Sequence, residues 1–121
     1  MRRIAVFICI LPFLFLTAVA ASAHAHLARS TPASNSTVSP APKEVVLWFT
    51  ERLEPAFSTI ELHDEKGAPV QIGKAQLDQS DHTRLRLALK ALPPGTYKVI
   101  WHVLSVDTHR TQGNFSFRVG Q

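Results

Sequence analysis

The sequence predicts an all-β fold, a two-sheet antiparallel sandwich in preference to a small barrel, and three observations carry that expectation. Runs rich in β-branched and aromatic residues recur from Lys43 onward, several with strict alternation of apolar and polar positions. Turn signals built on Gly, Pro and Asp separate them. No window long enough for a helix shows an apolar period of 3.6 residues after the first two dozen positions. Evenly spaced short strands with turns between them are the pattern of sandwiches and barrels.

The chain opens on Arg2-Arg3, an apolar run from Ile4 to Leu16, and small residues leading to Ala21-Ser22-Ala23. Positive charge, apolar core and a small-x-small site, in that order, spell a secretory signal peptide. Pro12 and the shortness of the apolar run argue against a retained membrane anchor. Cleavage after Ala23 leaves His24 as the first residue. Ala23-His24-Ala25 offers a second site, disfavoured because it puts a bulky imidazole inside the recognised triplet. Two segments result: a signal peptide over residues 1–23 and one small domain over residues 24–121, long enough for a core of its own.

Leu27 to Pro42 is rich in Ser, Thr, Pro and Ala, and reads as an edge segment and a loop. Glu44 to Thr50 is the first core strand, with Val45, Leu47 and Phe49 on one face and Val46 and Trp48 on the other. Phe57 to Leu62 forms the next, after Pro55. Asp64-Glu65-Lys66-Gly67 then turns the chain, and Ala68 to Ile72 closes a hairpin as a short strand. Thr83 to Leu89 alternates, with Leu85, Leu87 and Leu89 inward and Arg84 and Arg86 outward. After the turn Leu92-Pro93-Pro94-Gly95-Thr96, the strand Tyr97 to Val103 puts Tyr97, Val99, Trp101 and Val103 on one face. Gly113 to Val119 turns Phe115, Phe117 and Val119 inward.

Composition narrows the function. The 121 residues include 13 Lys or Arg against 9 Asp or Glu, a formal charge of +4 that falls to about +2 once Arg2 and Arg3 are removed. With no basic cluster and no basic–aromatic stripe, nucleic acid is excluded as a partner. The single cysteine, Cys9, and the single methionine, Met1, both lie in the segment removed. The exported domain, not embedded in a membrane, therefore holds no disulfide and no sulfur ligand for a metal.

A histidine at a free N-terminus is a chelator, because its α-amine and its imidazole can grip one ion through two nitrogens. Ser105-Val106-Asp107-Thr108-His109 offers more ligands at the end of the Tyr97 strand. In extended backbone, residues two apart face the same side, so Asp107 and His109 present a carboxylate and an imidazole together. Three nitrogens and one oxygen suit Cu(II), and Zn(II) accepts the same atoms in tetrahedral form. His26 is a further candidate ligand, and Glu51 a candidate outer ligand or hydrogen-bond acceptor for an imidazole. His63 and His82, beside acidic residues in turn contexts, read as solvated surface histidines, and His102 as partly exposed.

His24-Ala25-His26-Leu27, Ser30-Thr31-Pro32-Ala33, Leu47-Trp48-Phe49-Thr50-Glu51-Arg52-Leu53, Pro94-Gly95-Thr96-Tyr97-Lys98-Val99-Ile100-Trp101, and Ser105-Val106-Asp107-Thr108-His109 with Gly113 occur in this order. Over essentially the whole exported part the chain thus resembles the CopC family of periplasmic copper-binding proteins. The resemblance implies a Greek-key sandwich of immunoglobulin-like or cupredoxin-like form that binds Cu(II) through His24, Asp107 and His109, with Glu51 near the site. It also implies a periplasmic role in copper resistance or uptake, often beside an inner-membrane copper transporter. Some members add a Met-rich loop for Cu(I); the matching region here, about Leu62 to Asp81, has no Met, so a Cu(II)-only form is expected. Arg110 stands where some members have proline.

Two other functions compete. An N-terminal histidine chelate on a β-sandwich also resembles the copper site of lytic polysaccharide monooxygenases. Against that reading, the chain is short and the Asp107 carboxylate would occupy the coordination space that oxygen needs. A metal-free exported immunoglobulin-like module is the remaining alternative.

Overall fold

Every core strand has one apolar face to bury, and the chain solves this by stacking two sheets with those faces inward. The computed structural model describes residues 24–121, so the signal peptide expected over residues 1–23 lies outside the described residues. Eight strands follow in order: β1 (Leu27–Thr31), β2 (Thr37–Val38), β3 (Glu44–Phe49), β4 (Thr59–His63), β5 (Gln71–Leu77), β6 (Arg84–Leu89), β7 (Gly95–Leu104) and β8 (Arg110–Val119). One sheet has the order β1-β3-β6-β5, the other β2-β8-β7-β4. The fold is the all-β two-sheet sandwich that alternation predicts, with a single 3-10 turn at Pro55–Phe57. Among the described residues no helix is long and apolar enough to cross a membrane.

The inward rows match expectation. Val45, Leu47, Phe49, Leu85, Leu87, Val99, Trp101, Val103, Phe115, Phe117 and Val119 are buried in one cluster. Phe49 meets Trp101 edge to face, with centroids 5.1 Å apart. Trp101 lies over Gly113, its register partner, where an added Cβ would stand 2.4 Å from the indole ring. The Tyr97 hydroxyl donates to the Pro93 carbonyl at 2.5 Å and ties the preceding turn to the sheet. On the outer face the Arg29 guanidinium stacks on Trp48, 4.3 Å from the ring centroid, covering an aromatic that alternation leaves outward.

Four details depart from the sequence reading. Val46, placed on the outer face, is nevertheless buried: β3 is an interior strand, and Val46 stands between Thr31 and Arg86 on the strands beside it. The Leu27 to Pro42 segment is not only edge and loop, because β1 pairs antiparallel with β3 and Thr37–Val38 pairs parallel with β8. The residues after the Asp64 turn make only an isolated bridge, His63 to Pro69, before the chain crosses to the other sheet and pairs as β5 with β6. Finally, His63 is half-buried at the end of β4, paired with Glu61 at 3.2 Å rather than solvated in a turn.

Candidate metal centre

A small apolar residue fixes the start of the domain. Ala25 is fully buried and belongs to the core cluster, so His24 and His26 on either side of it are left exposed. Two threonines hold this segment. Thr50, just after β3, accepts the His26 N–H on its Oγ1 at 2.9 Å and donates its own N–H to the His26 carbonyl at 2.9 Å. Its hydroxyl also reaches the His24 carbonyl at 3.5 Å. Thr111, in β8, donates from Oγ1 to the Ala25 carbonyl at 2.8 Å.

The second half of the site is the β7–β8 connection. Ser105 donates its N–H to the His109 carbonyl at 3.0 Å, and Thr108 donates to the Ser105 carbonyl at 2.9 Å. Thr108 adopts φ +73°, the left-handed conformation that reverses the chain. Asp107 and His109 therefore meet because a turn folds them together, not because a strand alternates, which corrects the geometric reason given by the sequence. The root of the turn is tied to the segment after Thr50: Val106 donates to the Arg52 carbonyl at 3.0 Å, and Leu53 bridges Ser105.

Within this frame the carboxylate and the imidazole are coupled. His109 Nδ1 lies 3.2 Å from Asp107 Oδ1, and the His109 N–H lies 3.4 Å from the same oxygen. The hydroxyl of Ser105, a fully buried residue, donates to Oδ1 as well. The Ser105 hydroxyl does most to hold the Asp107 carboxyl below its ordinary value; desolvation, the next-largest effect, opposes it, and the His109 ring and amide add to the lowering. Asp107 Oδ2 accepts no hydrogen bond among the described residues. Metal-binding imidazoles commonly give their second N–H to a carboxylate.

The structure brings His24 and His109 together, with ring centroids 4.6 Å apart and planes tilted by 52°. His26 stands further out, its centroid 6.5 Å from that of His24. Glu51 is half-buried between Thr50 and Arg52 and makes no ion pair with an imidazole among the described residues. Among those residues no three His, Cys, Asp or Glu side chains stand together as a metal-holding group. Of the three side chains in the chelate read from the sequence, the structure pairs His24 with His109 and His109 with Asp107, and does not gather all three at one point. His82 is exposed, its Nδ1 3.0 Å from an Arg52 guanidinium nitrogen, and exposed His102 faces outward on β7. Sequence reasoning missed Ser105, Thr50 and Thr111. A hydroxyl that meets a carbonyl 86 positions away leaves no local signal.

The chain is similar to several known proteins. The family model described as the CopC domain matches residues 27–120. Protein YobA of Escherichia coli strain K12 is 40% identical over 98 residues, covering 80% of this chain and 79% of that protein. Copper transport protein CutJ of Bacillus subtilis strain 168 is 30% identical over 122 residues, spanning this whole chain but only 23% of CutJ. The crystal structure of PcoC, a methionine-rich copper resistance protein from Escherichia coli, superimposes with a TM-score of 0.71 at 34% identity, over 81% of this chain and all of that one.

Proposed function

The chain belongs to the CopC family, and on that premise we propose that it is a periplasmic Cu(II) carrier or buffer whose site forms when processing exposes His24. Members of this family handle copper and are not enzymes. The ligands in this reading are the His24 amine and imidazole, the His109 imidazole and the Asp107 carboxylate. The observation that carries it is the approach of the His24 and His109 rings to 4.6 Å, from opposite ends of the sequence, with the Asp107 carboxylate 3.2 Å from His109 Nδ1. His26, its ring 6.5 Å from that of His24, and Glu51, which pairs with no imidazole among the described residues, are left outside this set.

Cu(II) is favoured over Zn(II) because a nitrogen-rich set binds it most tightly among the divalent first-row ions. PcoC is described as methionine-rich, whereas the only methionine here is Met1, which supports a site for Cu(II) alone. CutJ, in which a region like this chain is a small part of a longer copper transport protein, supports hand-off to or from an inner-membrane transporter.

The test is the N-terminus itself. One extra residue before His24 turns the chelating amine into an amide, and Cu(II) affinity in a competition titration should fall by orders of magnitude. Unchanged affinity refutes the terminal chelate.

A further inference from the structure

Resting on that reading, we propose that Thr50, just after β3, and Thr111, in β8, are positioning residues that clamp residues 24–26 and hold His24 beside His109 before any metal arrives. Chain termini fray unless something ties them down, and ordering a loose segment upon binding subtracts from affinity. Here the tie is specific. Thr50 engages His26 through both its amide and its hydroxyl, at 2.9 Å each, and its hydroxyl also reaches the His24 carbonyl at 3.5 Å. Thr111 engages Ala25 from β8 at 2.8 Å.

The contacts form one device. Ala25 is fully buried, so its carbonyl would be left without a partner and out of reach of solvent if the Thr111 hydroxyl were removed. Thr111 also lies two residues after His109 and forms the register pair of Val103 in β7. The element that fixes His109 therefore also fixes the peg carrying His24. Both hydroxyls are occupied by main-chain groups, so their role is to set geometry and not to ligate.

The experiment uses protein purified after export and shown by mass spectrometry to begin at His24. Thr50→Val and Thr111→Val keep the shape of the side chain and delete the hydroxyl. Each should weaken Cu(II) binding roughly threefold to tenfold, the effect of losing one hydrogen bond. The double variant should lose more and alter the Cu(II) electron-spin spectrum. In the metal-free protein, backbone ¹⁵N relaxation should show Ala25 and His26 more mobile in the Val variants than in wild type. Thr50→Ser and Thr111→Ser, which restore the hydroxyl, should recover affinity, spectrum and order. A wild-type chain that binds no Cu(II) sinks the proposed function and this inference with it. A wild-type chain that binds, with Val variants that match it in affinity and spectrum or Ser variants that fail to recover, overturns the clamp alone.

Discussion

Asp78 and Asp107 each accept from a residue two positions further on, in different turns of this sandwich, and they differ in what faces the carboxylate. In the β5–β6 connection, Asp78 Oδ1 accepts the Ser80 amide at 2.9 Å and its hydroxyl at 2.6 Å, while Oδ2 takes Arg84 and Arg86, each at 2.9 Å. Every lone pair that matters is spent on a donor, and the side chain is 13% exposed. In the β7–β8 connection, Asp107 works through Oδ1 only, faces an imidazole, and is 34% exposed. A guanidinium is permanently charged and has no lone pair to give, so the Asp78 cluster can only brace the sheet. An imidazole can exchange its proton for a metal ion, so the same Asx geometry beside His109 can become a binding site. The partner, not the aspartate, separates structure from function.

Exchanging the two roles is the strongest way to break that contrast. His109→Ala or Asp107→Ala should weaken Cu(II) binding by at least about a hundredfold, more than loss of an outer partner costs, and leave the β circular-dichroism spectrum intact. Asp78→Asn should lower the thermal midpoint and leave copper affinity unchanged. A copper defect in Asp78→Asn as large as in His109→Ala would erase the distinction.

Acid sharpens it further. The Ser80 hydroxyl and amide, followed by Arg86, hold the Asp78 carboxyl far below its ordinary value. Its folded pKa lies under the unfolded value of about 3.9, so below that pH the unfolded chain binds more protons than the folded one. The stabilisation is thus fully present above about pH 4 and is lost as pH falls through the folded pKa. Thermal melts from pH 7 to pH 3 should show a decline confined to the acid end, and shallower in Asp78→Asn than in wild type. Asp107, also lowered, contributes with the same sign.

Among the substitutions in the β7–β8 turn, the smallest effect expected is that of Ser105→Ala. Removing this outer hydroxyl should weaken Cu(II) binding about tenfold, the scale for an outer partner, and raise the Asp107 carboxyl titration seen by ¹³C NMR in the metal-free protein. An unshifted Asp107 would show that His109 alone sets its acidity.

Strand assignment was legible wherever alternation was clean: Leu85-x-Leu87-x-Leu89 and Phe115-x-Phe117-x-Val119 lie inward as read. It failed at β5, where Ile72 is 55% exposed and Gly73 has φ +69°, because the register shifts between Ile72 and Gln76 on this edge strand and only Ala75 and Leu77 pack against the core. The candidate ligands were legible as residue types. Their meeting was attributed to strand alternation, when Thr108 in the left-handed conformation does the work.

By itself, then, the sequence determined the sandwich, the supply of imidazole and carboxylate, and the absence of sulfur after Cys9, because alternation and side-chain chemistry are local properties. The tertiary structure alone decided that His24 stands beside His109, that Ala25 is a buried peg, and that Thr50 and Thr111 meet the segment around it. Those contacts join residues from about 25 to 86 positions apart, and only the packing of one sheet on the other brings such residues together.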